Sequence, residues 1–524
     1  MSDPAPFELP DAVRDEFVAV VGRDNALVAD EERDEYRDPY WPTEDRTYDS
    51  SLVLFPTTTE QVQDIVRVAN HHEVPVWASS QGRNNGYGGP SARVKGSVLI
   101  SFRRMNRVLE VDTELAYAVV EPGARWYDLY DVLHEQGDEL LLSVPDIGWG
   151  SVIGNSLDNG QTFLPNGSDF NTLNGLEVVL ADGSLLRTGF GAQEGNPTWH
   201  LYKRGLGPVV DPLFAQSNYG IVTKAGVWLQ RRPKAYAPLY LSVPRYHQLA
   251  QVIDVVRELR LGGILRGIPY VLDLLTVGDA HFPEYKGKIP PPGTPVMGEE
   301  RLDAIADETG LGRWGVRTAL WGDPEVVDVH ERRIREAWSA IEGGEVRRLA
   351  TYTAENWHEI KDAGLIDRIS GGVPSSDILD SLPDFVGHVG FSPVVPLRGE
   401  DVTKVVQQIK DKVVERTGVN FSAQVFVTND RSAIVVSAMF FNRHDAGHLR
   451  ATIDTAKELL VQLGQQGYAE YRSHLDFSDL AQDQLAFGDH AYRHFAETIK
   501  DAVDPKGILS PGRHGIWPAR YRAR

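Results

Sequence analysis

Apolar positions along the chain change period in blocks. In SLVLFPTTTEQVQDIVRVANHHEVPVWASS, residues 51–80, a short apolar run precedes Val62, Ile65, Val66 and Ala69 at helical spacing, and a second run follows. That order predicts strand, helix, strand. Thr57 and Glu60 stand at the T-x-x-E spacing of a capping box, which predicts where the helix begins. KGSVLISF, AYAVVEPG and SNYGIVTKAGVWLQ read as further strands, and ARWYDLYDVLHEQG as a helix ending at a glycine. LEVVLADGSLLRTG predicts a hairpin turning at Asp182-Gly183. Residues from about 50 to 230 therefore form an α+β unit dense in short strands and glycine loops.

The texture changes near QRRPKAYAPLYLSVP. Beyond it a strand leads to a helix carrying Leu249, Val252, Ile253 and Val256, and then to the proline-rich loop KIPPPGTPVMG. GVRTALWG reads as a strand, PEVVDVHERRIREAWSAI as a helix and HVGFSPVVP as a strand. A helix near 401–417, paired strands NFSAQVFVT and SAIVVSAMFF, and a long helix at about 446–466 complete this part. The pattern predicts a second α+β domain, an antiparallel sheet covered by helices. The tail DAVDPKGILSPGRHGIWP returns to glycine and proline turns, as segments that dock on another domain do.

Composition narrows the function classes. The chain has 524 residues, enough for two or three domains, with 42% hydrophobic and 24% charged residues. Its net charge of −21 repels phosphate backbones, so no nucleic-acid partner is expected. No apolar run reaches the roughly 18 residues of a membrane span. MSDPAPFELPDAVRDEF is acidic and broken by prolines, unlike a signal peptide, so the expected location is cytoplasmic. The absence of cysteine excludes disulfides, iron–sulfur clusters, thiolate metal sites and a cysteine nucleophile.

ASSQGRNNGYGGP, residues 78–90, places Gly82, Gly86, Gly88 and Gly89 directly after a predicted strand. The spacing is neither a Rossmann fingerprint nor a P-loop. It suits either a backbone nest for a pyrophosphate or an elaborate turn. A second such loop, PDIGWGSVIGN, carries Asp146 and Ser151; its spacing rejects a nucleophile elbow. His444 and His448, like His490 and His494, stand at i, i+4, but lack the glutamate of H-E-x-x-H and a third ligand, so no metal is assigned. Tyr471 and Arg472 could together stabilise an oxyanion, or pack separately. His388 lies in a strand flanked by glycines.

Taken in order, SSQGRNNGYGGPSARVKGSVLI, VPDIGWGSVIGNSLDNG, SNYGIVTKAGVWL, GHVGFSPV, YAEYRSH and DPKGILSPGRHGIWP follow one family. From about residue 50 to 520 the chain resembles the 4-phenol-oxidising flavoproteins of the vanillyl-alcohol oxidase family, and within it eugenol oxidase and the 4-alkylphenol oxidases. The resemblance implies a two-domain α+β fold: an FAD-binding domain from 1–233 and 468–524, and a substrate cap from 234–467. It implies FAD contacts at Gly82, Arg83, Asn84, Asn85, Gly86, Ser151, Asn155, Gly220, Ile221, Val222 and Arg513, with His388 bonded covalently to the flavin. It also implies that Tyr87, Tyr471 and Arg472 bind a phenol as phenolate, with Asp146 near the flavin handling a proton.

Holding a phenol ionised at neutral pH requires about 4 kcal/mol of selective stabilisation, because its free pKa is about 10. One cation and two hydroxyl donors in a dry pocket are suited to supply it. The chain departs from the family where GVGYTPYGDHF becomes GQTFLPNGSDF: Phe163 and Asn166 replace tyrosines, and Gln161 replaces a small residue. Phe163 cannot hydrogen-bond to Asp146. Gln161, Phe163, Gln424 and Phe426 are expected in the substrate pocket. The implied partners are a small phenolic substrate, dioxygen and a second copy of the chain in a homodimer.

Overall fold

The computed structural model describes residues 4–41, 48–166, 169–282, 285, 287–290, 293–380 and 384–522. In the first sheet, Leu52–Leu54 and Val76–Ser79 both run parallel to Val98–Ser101, and Ala26–Leu27 joins antiparallel to Leu52–Leu54. Parallel strands need a crossover, which the helix Thr59–His72 supplies. Val62, Ile65, Val66 and Ala69 are fully buried on its inner face, as their spacing predicts.

The helix start differs by one residue from the expected box. Thr58 is the cap, its hydroxyl accepting from the Gln61 backbone N–H at 3.3 Å. The Gln61 side chain reaches back and accepts from the Thr57 N–H at 2.8 Å. The cap is therefore Thr58 rather than Thr57, and because Gln61 bonds the residue before the cap and not the cap's own N–H, the reciprocal box is not closed.

A second, antiparallel sheet orders Val108–Asp112, Tyr117–Val120, Ile221–Trp228, Leu173–Val179 and Leu185–Arg187. Its last two strands are the predicted hairpin, with Gly183 at φ +80° in the turn. The third sheet draws eight strands from between Ala235 and Asn442. Glu345–Arg348, Ala235–Val243, Trp314–Gly322, Tyr270–Asp273, Gln424–Phe426, Ser432–Asn442 and Val386–Phe391 lie in that order. Val394–Pro396 also pairs with Ser432–Asn442. Side chains alternate between its faces. Odd-numbered Leu239, Val425, Val435 and Phe441 share a core with the helices Leu249–Leu261, Gly399–Thr417 and Ala446–Gly464. Even-numbered Tyr240, Tyr270, Leu272, Phe426 and Ile434 pack on the opposite face.

The turn-rich tail docks on the first sheet. Val76 donates to Ile508 O and accepts from the Ser510 N–H, both at 2.8 Å. Buried Lys500 pins this return, donating to Asn218 O at 2.6 Å and Leu509 O at 2.7 Å beside Asp504. The histidine pairs do not sit as their spacing suggests. His444 precedes a helix that starts at Ala446 and is capped by Asp445. Left-handed backbone at Gly488, Asp489 and His490 breaks the helix around His490 and His494. Among the described residues, no group of three His, Cys, Asp or Glu side chains could hold a metal ion, and no helix is long and apolar enough to cross a membrane. Residues 291–292 of the proline-rich loop and 167–168 of the GQTFLPNGSDF segment lie outside the described residues.

Candidate active site

A cavity of about 460 Å³ runs between the glycine loop, the second sheet and the even-numbered face of the eight-stranded sheet. Glycines let the loop and the strand Val386–Phe391 interpenetrate. Gly86 has φ +80°, and a Cβ there would stand 2.6 Å from His388 Cδ2. In return, a Cβ on Gly390 would stand 2.7 Å from Tyr87 Cζ. The Gly390 N–H donates to Gly86 O at 3.0 Å, locking the two together.

Cross-strand register sets the order of side chains along the cavity. On Ser432–Asn442, Phe440 lies opposite His388, Ala438 opposite Gly390, Val436 opposite Gln424 and Ile434 opposite Phe426. Six residues of strand span about 20 Å, so His388 and Phe426 mark distant points of one wall. Tyr87 stands over Gly390 between them. Tyr270 lies opposite Phe426, their rings edge to face at 4.4 Å.

The segment 470–472 meets this wall through backbone bonds. The Tyr471 N–H donates to Ser392 O at 3.2 Å, and the Glu470 carboxyl accepts from the Ser392 N–H at 2.8 and 3.0 Å. Arg472 is brought 4.5 Å over the Tyr87 ring and 5.6 Å from the Tyr471 ring centre. Burial pushes the Tyr471 phenol well above its ordinary range despite the pull of Arg472, so it stays a proton donor. Burial alone would weaken the Arg472 cation, but Tyr471, Asp158 and Tyr87 more than offset this and keep it charged.

Asp158 and His514 carried no signal in the sequence. Asp158 Oδ2 lies 3.4 Å from Arg472 Nη1, and Oδ1 lies 3.2 Å from His514 Nε2. Burial raises this carboxyl, but Arg472, His514 and Arg513 outweigh it and hold the group below the ordinary range. Gln216 ties the layer together, its amide donating to Tyr471 O at 2.9 Å and Asp158 O at 3.4 Å. Asp146 behaves oppositely. Burial raises its carboxyl above the ordinary range, against its own backbone N–H and the more distant Arg472.

The structure brings nearly all the expected residues to this one cavity. Gly82, Arg83, Asn84, Asn85, Tyr87, Asp146, Ser151, Asn155, Gln161, Gly220, Ile221, Val222, His388, Gln424, Phe426, Tyr471, Arg472 and Arg513 all line it. Two expected residues stand behind the wall. Gly86 backs onto His388, and Phe163 is buried with its ring 5.9 Å from both Tyr270 and Phe426. Tyr270, which no motif singled out, takes the lining position. The Ser151 hydroxyl is spent within the protein, donating to Pro122 O at 2.6 Å and accepting from the Gly154 N–H at 2.9 Å.

The cavity suits a large polar cofactor. His388 Nδ1, Arg83 Nε, Trp149 Nε1 and Asn218 Oδ1 are buried on it without a hydrogen-bond partner, a condition that favours a polar ligand. Arg83 and Arg513 add cationic side chains. Burial lowers the His388 imidazole to about 4, against Asp38, so it is neutral.

Residues 50–189 match the family model of an FAD binding domain. With the fold and cavity, this defines a two-domain FAD-linked oxidoreductase. The chain is 31% identical over 505 residues to the 4-cresol dehydrogenase [hydroxylating] flavoprotein subunit of Pseudomonas putida, covering 95% of this chain and 94% of that one. Its fold matches 4-ethylphenol oxidase from Gulosibacter chungangensis, solved with isoeugenol, at a TM-score of 0.90 and 32% identity over 99% of this chain and 100% of that one. It matches substrate-bound p-cresol methylhydroxylase at 0.87 and 29% identity, over 98% and 99%. The chain belongs to the vanillyl-alcohol oxidase and p-cresol methylhydroxylase family of phenol-oxidising flavoenzymes.

Proposed function

We propose that the chain is an FAD-dependent oxidase of para-substituted phenols, acting on 4-alkyl and 4-allyl phenols and benzylic alcohols. Dioxygen is the acceptor and hydrogen peroxide the reduced product. The observation that carries this reading is the Arg472 guanidinium, buried between the Tyr87 and Tyr471 rings at the cavity wall.

The two phenols donate hydrogen bonds and Arg472 supplies positive charge at one point, which stabilises a bound phenolate. Phenolate charge enters the ring and labilises a benzylic hydride, leaving a p-quinone methide. Bound FAD supplies the hydride acceptor and the route of electrons to oxygen. Asp146, its carboxyl raised above the ordinary range by burial, takes up a proton as water adds to the side chain. The loop 82–86, with Arg83 and Arg513, would hold the cofactor, and the neutral His388 imidazole would supply the nitrogen for a covalent tether to it.

A second reading, a dehydrogenase passing electrons to a cytochrome, is favoured by the 31% identical relative, which is a dehydrogenase flavoprotein subunit. Anaerobic stopped-flow mixing with 4-ethylphenol, eugenol and vanillyl alcohol, followed by air, separates the two. Bleaching with rapid recovery in air supports the oxidase, bleaching without recovery supports the dehydrogenase, and no bleaching by any phenol rejects both. The homodimer draws support from Phe487, Tyr492 and Phe495, which are 94%, 62% and 65% exposed near one helix. Light scattering at the mass of a single chain would reject it.

A further inference from the structure

We propose that Tyr270 is a positioning residue: from the eight-stranded sheet it supplies the hydroxyl that Phe163 lacks, and it orients the water that adds to the bound phenol's side chain. This rests on the phenol-oxidising reading above.

Tyr270 is fixed on every side. Its strand pairs it directly with Phe426, the Phe426 ring meets it edge to face at 4.4 Å, and Phe163 packs 5.9 Å away. The side chain is 1% exposed as a whole, yet it lines the cavity shared with Asp146, Gln161 and Gln424. Its hydroxyl donates to Gln424 Oε1. That bond fixes the amide: the carbonyl is occupied, so the Gln424 N–H groups remain as donors. Burial and the charge of Asp146 keep this phenol protonated far beyond neutral pH. Gln161 Oε1, on the same cavity, is buried without a partner.

These groups complement one water molecule, which needs two to four polar partners. One hydrogen goes to the Asp146 carboxylate, and one oxygen lone pair accepts from Gln424 Nε2, which the Tyr270 hydroxyl holds in that orientation. The other pair remains for carbon. In the addition step that pair forms a C–O bond at the benzylic carbon of the quinone methide. The exocyclic C=C π pair moves into the ring and restores the phenolate, and one water proton passes to Asp146. No oxidant is consumed.

The test is the ratio of 1-(4-hydroxyphenyl)ethanol to 4-vinylphenol formed from 4-ethylphenol by the holoenzyme, a ratio that does not depend on how fast the flavin is reduced. Tyr270→Phe should lower the alcohol-to-alkene ratio at least fivefold. Phe163→Tyr in that background should restore at least half of the loss by returning a hydroxyl to the same aromatic cluster. An unchanged ratio in Tyr270→Phe overturns the proposal. So does a double variant that keeps the altered ratio, since packing rather than the hydroxyl would then be responsible. Should Tyr270→Phe fail to fold, Gln424→Met removes the hydroxyl's anchor and must show the same fall. If no phenol bleaches the parent flavin, the phenol reading fails first; bleaching with an unmoved ratio rejects the role of Tyr270 alone.

Discussion

The Arg472 guanidinium stands 3.4 Å from the Asp158 carboxylate, and each side chain is only 14% exposed. Breaking such a pair by removing one partner typically costs about 3–5 kcal/mol, because the other charge is left buried and unpaired. A phenolate on Arg472 would replace the lost anion. Asp158→Asn should therefore melt well below the parent when phenol-free, and isoeugenol should raise its melting temperature by more than it raises the parent's. Equal ligand-induced shifts would show that Asp158 does not balance the charge at the phenol site.

Removing a single donor from a site built to hold developing negative charge typically lowers the rate by about 10²–10³-fold. Tyr471→Phe should slow anaerobic flavin reduction by 4-ethylphenol by about that factor, with a melting temperature close to the parent's. Arg472→Ala should slow it further. Reduction at the parent rate in either variant would remove the phenolate role.

His388→Ala should leave FAD that acid precipitation releases, giving a colourless pellet and a yellow supernatant. A yellow pellet from this variant would place the tether elsewhere.

The same histidine has a pH signature in flavin-free protein. Its folded value is about 4, below the roughly 6.5 of an unperturbed imidazole. The unfolded chain therefore binds the proton first as pH falls. Stability from the neutral ring is complete above about pH 6.5 and is lost as pH falls toward 4, by about 3 kcal/mol in all. Urea midpoints measured across that range should fall for the parent and stay flatter for His388→Gln; parallel curves would assign the acid sensitivity to other groups.

Gly390→Ala should displace Tyr87, because the added carbon would stand 2.7 Å from the ring. Overpacking of this kind costs about 1–3 kcal/mol. The measurable result is a higher Kd for isoeugenol by flavin difference spectra. An unchanged Kd would mean that the ring yields without cost to binding.

Local patterns carried much of the fold. Helical spacing located Thr59–His72 and its buried face, the Asp182-Gly183 turn located its hairpin, and a change of texture near 234 marked the start of the eight-stranded sheet. Local pattern failed where nearby alternatives competed. Thr57 and Thr58 offer caps one residue apart, and only the bond from the Gln61 backbone N–H to the Thr58 hydroxyl decides between them. The i, i+4 histidines sit at a helix start and at a left-handed break, neither of which alters the spacing.

By itself the sequence determined the glycine loop, the strand–helix–strand order and, through ordered motifs, a flavin-binding fold of the phenol-oxidising family. These depend on short segments whose backbone demands and residue types are local. Only the tertiary structure decided that Asp158 and His514 stand behind Arg472, that Phe163 retreats behind the wall, and that Tyr270 takes its place. Those contacts join segments more than a hundred residues apart, through strand register and the docking of a tail. Pairing partners of that kind are chosen by the packing of the whole chain, and no local spacing records them.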